Sequence, residues 1–194
     1  MSRVRHLRPK IRPWSRVRSE LVAEYRIFGI ERHEIVDGDG NPRLYVNTFR
    51  FPEWCNVIAI TPEEKLVLVW QYRFGTGEMS LEVPGGVVDP GEKPIEAAAR
   101  ELAEETGYAL GSSGIAPFAS VEANPSMQGN RCHSFLARGV TPTATQSFDD
   151  LEELEVCLVD LEDIPALVDE EMVRHVHVVA VLERFMRKAG IPRR

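Results

Sequence analysis

The chain has 194 residues, 43% hydrophobic and 27% charged, enough for one globular domain with a filled core. No apolar run approaches the roughly 18 residues of a membrane span, and the charged N-terminus has no apolar stretch behind it, so neither a span nor a secretory signal is expected. The net charge of −7 is uneven: residues 1–18 hold seven Lys or Arg and no acid, leaving 16 bases against 30 acids, a net of −14, for the rest. An acidic body repels phosphate backbones, which argues against a nucleic-acid partner. Residues 1–18 read as a flexible, solvated basic arm.

Residues 21–36 and 43–51 are rich in β-branched and aromatic side chains around Asp-Gly-Asp-Gly-Asn-Pro, which predicts an antiparallel hairpin. That turn opens like a calcium loop, but Pro42 stands where such a loop needs Gly and Thr48 where it needs a bidentate Glu, so no calcium is expected. Residues 56–60 and 66–73 read as buried strands joined by a turn, and 79–84 as a short strand ended by Pro84. Gly85 and Gly86 then open a loop to a helix that starts at Pro94 and stops at Gly107. Ile95, Ala98 or Ala99, Leu102 and Thr106 form its apolar stripe, with Glu101, Glu104 and Glu105 to one side.

Strands follow near 115–122, 131–138 and 154–160. A last helix near 174–188 carries Val176, Val179, Leu182 and Phe185 or Met186 on one face. This succession predicts an α/β (α+β) sandwich. Cys55, Cys132 and Cys157 are far apart with no Cys-x-x-Cys, which argues against disulfides and zinc and fits a cytoplasmic protein. His175 and His177, two apart on the expected helix, face different ways and are not a chelating pair. His133 is a strand histidine with no assigned role.

The acid cluster needs a cause. Like charges three or four apart on a helix repel by roughly 0.2–0.5 kcal/mol per pair, and acids near a helix C-terminus oppose the macrodipole. Arg100, four residues from Glu96 and from Glu104, can brace one acid. A hard divalent cation explains the rest, because Mg²⁺ takes a few carboxylates together with phosphate oxygens and water. The glycines would let backbone approach the same ions.

Gly86, five residues, Glu92, seven residues, then Arg100-Glu101-Leu102-Ala103-Glu104-Glu105-Thr106-Gly107 resembles the complete signature of the Nudix hydrolases. Tyr108 departs from the usual aliphatic residue, a matter of packing rather than chemistry. The resemblance implies a Nudix-type α/β/α sandwich with a mixed sheet, one domain over 19–190, and an N-terminal antiparallel hairpin extension. It implies Mg²⁺-dependent cleavage of a nucleoside diphosphate joined to another moiety, with Mn²⁺ as a substitute. Glu101, Glu105 and the Gly85 carbonyl would be metal ligands, and Glu104 a ligand or water-bridged partner. Arg100 would orient the acids, and Glu92 would tie loop to helix.

Outside this box, residues 69–92 resemble the ADP-ribose and nucleoside-diphosphate-sugar pyrophosphatase branch. There Arg73 would lie near the substrate diphosphate, which suits a guanidinium fork, and Glu82 would face the same cleft. Pro125 falls eighteen residues past Gly107, where the branch often has a proline about fifteen past the box, so GDP-mannose stands beside ADP-ribose as a substrate. Nucleoside triphosphates, dinucleoside polyphosphates or capped RNA are the alternative substrates, and a non-catalytic ligand sensor the alternative class. Trp54 and Phe28 are candidates for base stacking, although core packing explains each as well. The acidic segment 146–156 supplies general-base candidates in the order Glu152, Glu153, Asp150. In this branch the 21–51 hairpin crosses to a partner, which implies a homodimer.

Overall fold

The computed structural model describes residues 7–143, 146–147 and 153–193. It forms two compact units, Met1–Phe51 with Asn124–Asn130, and Pro52–Ala123 with Arg131–Arg194.

The first unit is a three-stranded antiparallel sheet of β1 (Ser15–Glu24), β2 (Gly29–Val36) and β3 (Val46–Arg50), in that order. The expected hairpin is the β2–β3 pair, and a further strand precedes it. A turn closed by the Tyr25 N–H donating to the Phe28 carbonyl at 2.8 Å divides what the β-rich composition of 21–36 merges. Strand β1 reaches back to Ser15, into the stretch expected as a loose arm. Between β2 and β3, the Asp37 carboxylate accepts the Asp39 and Asn41 N–H groups at 2.9 and 3.0 Å and the Arg43 guanidinium. These bonds, the Asn41 N–H foremost, hold the Asp37 carboxyl down at about 2. Phe28 packs among Tyr25, Phe49 and Phe51, with centroids 4.9–5.6 Å away, so its ring is used within this unit.

The second unit holds β4 (Trp54–Ile60), β5 (Lys65–Arg73), β6 (Glu78–Glu82), β7 (Tyr108–Ala109), β8 (Ile115–Glu122), β9 (Arg131–Arg138), β10 (Thr141–Pro142) and β11 (Leu154–Asp160). Its helices are α1 (Pro94–Thr106), α2 (Ile164–Asp169) and α3 (Val176–Ala189). The main sheet runs β11-β5-β4-β9-β8, with β6 added against β5. Only the β4–β9 pairing is parallel among these, so the sheet is mixed. Strand alternation sends Val57, Ala59 and Val67 to one face, where Ala97, Ala98 and Leu102 of α1 cover them. Ile58, Ile60, Leu66 and Leu68 go to the other, under Val178, Val181, Leu182 and Phe185 of α3. This is the expected α/β/α sandwich.

Two helix faces differ from the sequence reading. Helix α3 begins at Val176 rather than 174, and Val176 is 64% exposed while His177, Val178 and Val181 are buried. The stripe is rotated because it is set by how the helix lands on β4 and β5. Helix α1 buries Ala98, Leu102 and Thr106 as its pattern suggests, but it buries Ala97 and Glu105 with them and leaves Ile95 half-buried. The helix starts at Pro94 and closes at Gly107, whose φ of 71° suits a residue without a Cβ.

Candidate active site

The chain leaving β6 runs beside β4 before it turns into α1. Cys55 and Val57 N–H groups donate to the Gly86 and Pro84 carbonyls, each at 2.9 Å, and Val88 N–H donates to the Glu53 carbonyl at 2.9 Å. A side chain on Gly85 would run into the Cys55 carbonyl and the Asn56 backbone, while one on Gly86 would lie 2.5 Å from Glu101 Oε1. Both glycines are needed for space.

Arg100 organises the acids. Its Nη1 donates to Glu101 Oε1 and Glu104 Oε2, both at 2.9 Å. Nε and Nη2 hold the Glu92 carboxylate at 3.1 and 3.0 Å, and Nη2 also reaches the Val87 carbonyl at 3.1 Å. One guanidinium thus joins the loop to three acids of the box, a geometry that its planar fork of five N–H donors allows. Hydrogen bonding from Arg100 lowers the Glu92 carboxyl, and the surrounding acids hold Arg100 charged. Glu96, the other acid four residues away, pairs with Lys93 instead, at 2.8 Å. Glu105 is 4% exposed and accepts the Gly85 N–H at 2.9 Å.

Hard oxygen donors therefore lie where the glycine loop meets α1: Glu101 against Gly86, and Glu105 bonded to Gly85. This donor set suits Mg²⁺ or Mn²⁺ and has no sulfur or imidazole that would favour a softer ion. Among the described residues, no three acid, His or Cys side chains converge on one point. Glu101 and Glu104 turn toward Arg100 instead.

Beside the loop is a cleft of about 1310 Å³ whose wall includes Trp54, Arg73, Glu82, Gly85, Gly86 and Glu153. Arg73 Nε and Nη2 donate to the two oxygens of Glu82, both at 2.7 Å, so the fork is fixed by Glu82. Glu82 is 2% exposed. Burial alone would raise its carboxyl, but the Arg73 and His175 hydrogen bonds outweigh burial and hold it far below the usual range. Trp54 meets the His177 ring edge-on at 5.7 Å, the packing alternative of its two readings.

Gln146 and Ser147, which precede the base candidates in sequence, are held at the end of α1. Ser147 N–H donates to the Glu104 carbonyl at 2.9 Å, and Gln146 Nε2 to the Glu105 carbonyl at 2.6 Å. These satisfy carbonyls that the last helical turn leaves open. Glu153 is exposed and lines the cleft. Asp150 and Glu152 lie outside the described residues.

His175 was not legible as a site residue. It precedes α3 rather than lying on it, and its ring sits 5.3 Å from that of His177, so the two do not diverge as their spacing suggests. Its Nδ1 is 2.7 Å from Glu82 Oε2, 93 residues away in sequence. No local pattern signals that pairing. Burial lowers the pKa of His177. His133 is bound to Glu53 at 2.8 Å. Burial raises the Cys55 thiol to about 11 and the Cys132 thiol to about 12, which makes both poor nucleophiles.

The fold and the arginine-braced glutamates beside a glycine loop define one class of enzyme. The model of the NUDIX domain matches residues 54–181, and the chain belongs to this family of hydrolases. The chain is 31% identical over 163 residues to the ADP-ribose pyrophosphatase of Bacillus subtilis (strain 168), covering 84% of this chain and 85% of that protein. It is 24% identical over 173 residues to the ADP compounds hydrolase NudE of Escherichia coli (strain K12), covering 88% and 92%. The crystal structure of an ADP compounds hydrolase superposes with a TM-score of 0.77 at 22% identity, over 95% of this chain and 100% of that one, which shows the shared fold. Nudix hydrolases generally depend on a divalent metal. No helix among the described residues is long and apolar enough to cross a membrane.

Proposed function

We propose that this protein hydrolyses the diphosphate of ADP-ribose or another nucleoside diphosphate sugar, releasing a nucleoside monophosphate and a sugar phosphate. The observation that carries this reading is the meeting of the Arg100-braced box with a cleft holding the Arg73–Glu82 pair. The names of the relatives, ADP-ribose pyrophosphatase and ADP compounds hydrolase, point to the same substrates.

Glu101, Glu105, Glu104 and the Gly85 carbonyl would hold Mg²⁺ or Mn²⁺. Such ions supply neutralisation of charge on the phosphoryl oxygens. Arg100 keeps the carboxylates in register, and Glu82 holds the Arg73 guanidinium in one orientation beside the diphosphate. A carboxylate from Glu152, Glu153 or Asp150 takes the proton of the attacking water. A panel of ADP-ribose, GDP-mannose, a dinucleoside polyphosphate and dATP, each with Mg²⁺, tests the assignment. Preference for either sugar nucleotide supports it, and turnover of dATP or the polyphosphate alone overturns it.

The same reading makes the protein a cytoplasmic homodimer joined through residues 21–51. Support comes from Leu21, Leu44 and Tyr45, which are 52%, 87% and 67% exposed, because apolar surface of that kind fits a partner. The free cysteines suit a reducing compartment. Light scattering at micromolar concentration should give twice the chain mass.

A further inference from the structure

Every described arginine of the second unit but two is paired with an acid. Arg73, Arg100, Arg131, Arg138, Arg174 and Arg193 form ion pairs at 2.6–3.4 Å. Arg184 and Arg187, both on α3, meet no carboxylate among the described residues. In a chain with 30 acids against 23 Lys or Arg, two neighbouring guanidiniums left without one call for a cause. The field at a helix C-terminus accounts for Arg187, in the last turn, but Arg184 lies before it.

Both arginines line a cavity of about 320 Å³ between α3 and strands β8 and β9, with Ala119, Val121 and Ser134 on the sheet side. Ser134 is 3% exposed, and its hydroxyl has no hydrogen-bond partner among the described residues. It is not one of the polar atoms sealed from solvent, so it opens on the cavity. Glu183 lines the cavity as well but is engaged by Arg193.

Two ring contacts fix how α3 crosses the sheet. His177 meets Trp54 at 5.7 Å, and Phe185, about two turns on, meets Phe118 at 6.4 Å. Trp54 is in register with Cys132, and Phe118 sits in a bulge next to the Ala119–Ser134 pair. Ser134 therefore lies beneath the stretch of α3 between His177 and Phe185. Helical side chains lean toward the N-terminus, so Arg184 and Arg187, about 5–6 Å apart at Cβ, reach back over that stretch.

We propose that Arg184, Arg187 and Ser134 form a phosphate-binding site separate from the catalytic cleft. One guanidinium fork already matches a carboxylate, whereas two forks and a hydroxyl suit the three terminal oxygens of a phosphate monoester. The volume lies at the lower end of the range for small-molecule pockets, and Ala119, Val121 and Ala180 offer apolar wall to a carbon body. The phosphate group comes from inorganic phosphate or from a small phosphorylated molecule. The site goes beyond the nucleotide-sugar reading, and its failure leaves that reading in place.

The test uses the full chain, freed of divalent metal by a chelator, with inorganic phosphate and ribose 5-phosphate as probes. Calorimetry gives the affinity and amide NMR shifts give the location. Wild type is compared with Ser134→Ala, with the pair Arg184→Gln and Arg187→Gln, and with the pair Arg184→Lys and Arg187→Lys. The probes should shift the amides of Ala119, Ser134 and Arg184. The glutamine pair should weaken binding about 10-fold or more, and Ser134→Ala about 3-fold or more, the size of lost hydrogen bonds to a charged group. The lysine pair keeps the charge but loses the forks and should also bind about 3-fold or more weakly. All variants should melt near the wild-type temperature and turn over ADP-ribose at the wild-type rate. Tighter binding of ribose 5-phosphate supports the site with a phosphorylated molecule as occupant, and equal binding supports it with free phosphate. No binding of either probe at about 10 mM overturns the site. So do shifts confined to the surroundings of Arg73, or a lysine pair that binds as wild type does, which would leave only diffuse charge. A glutamine pair that halves the mass in light scattering with phosphate binding unchanged would assign the arginines to a contact between copies instead.

Discussion

Gly86 and Glu101 are fitted to each other: a Cβ on Gly86 would stand 2.5 Å from Glu101 Oε1 and 2.6 Å from its Cδ. Gly86→Ala should therefore displace one carboxylate, a flexible side chain, at small cost in stability, while lowering kcat by about 10-fold or more. Gly85→Ala meets Cys55 and Asn56 backbone, which cannot move aside, and should unfold the protein at a clearly lower temperature. Thermal unfolding and turnover of both variants check the contrast.

Glu105→Gln should remove most activity and preserve the fold. The amide oxygen can still accept the Gly85 N–H, but the anionic charge of the proposed metal ligand is gone. A fall in kcat of about 10²-fold with an unchanged circular dichroism spectrum is expected. A variant with near-normal turnover and Mg²⁺ still bound would dismiss Glu105 as a ligand.

Arg100→Lys keeps the charge and loses the fork. A single ammonium cannot serve Glu92, Glu101, Glu104 and the Val87 carbonyl together. The expected result is a loss of about 1–3 kcal/mol in denaturant unfolding, the usual cost of losing charge-assisted hydrogen bonds. Activity should fall in parallel, and full activity in the lysine variant would count against the bracing role.

Glu82 ties stability to pH. Its carboxyl sits below its ordinary value of 4.5 when folded, so its stabilisation is present above about pH 4.5 and lost as pH falls below that. Glu82→Gln leaves Arg73 without its buried counter-charge and should cost about 3 kcal/mol at pH 7. The gap between variant and wild type should narrow on acidification toward pH 3. A gap independent of pH would show that the carboxylate charge is not what matters.

The proposed base is one of Glu152, Glu153 and Asp150. Converting each to its amide at saturating Mg²⁺ should identify one variant with kcat lowered about 10²-fold and KM little changed. Three near-normal variants would assign the proton transfer elsewhere, to a box glutamate or a metal-bound water.

The box was legible from local spacing. Pro94, Gly107 and the acids between them act within one helix, where spacing of three and four residues fixes which side chains are neighbours, and Arg100 does reach Glu104 as that spacing predicts. The strands of the sandwich were legible for the same reason, since buried β-rich runs between turn residues are a local signal. Tertiary structure alone decided that Glu105 is buried, that α3 turns His177 inward, and that Glu82 joins Arg73 to His175. Those contacts depend on strand order and on where each helix lands on the sheet. Both are set by packing between residues far apart in the chain, and no local period encodes them.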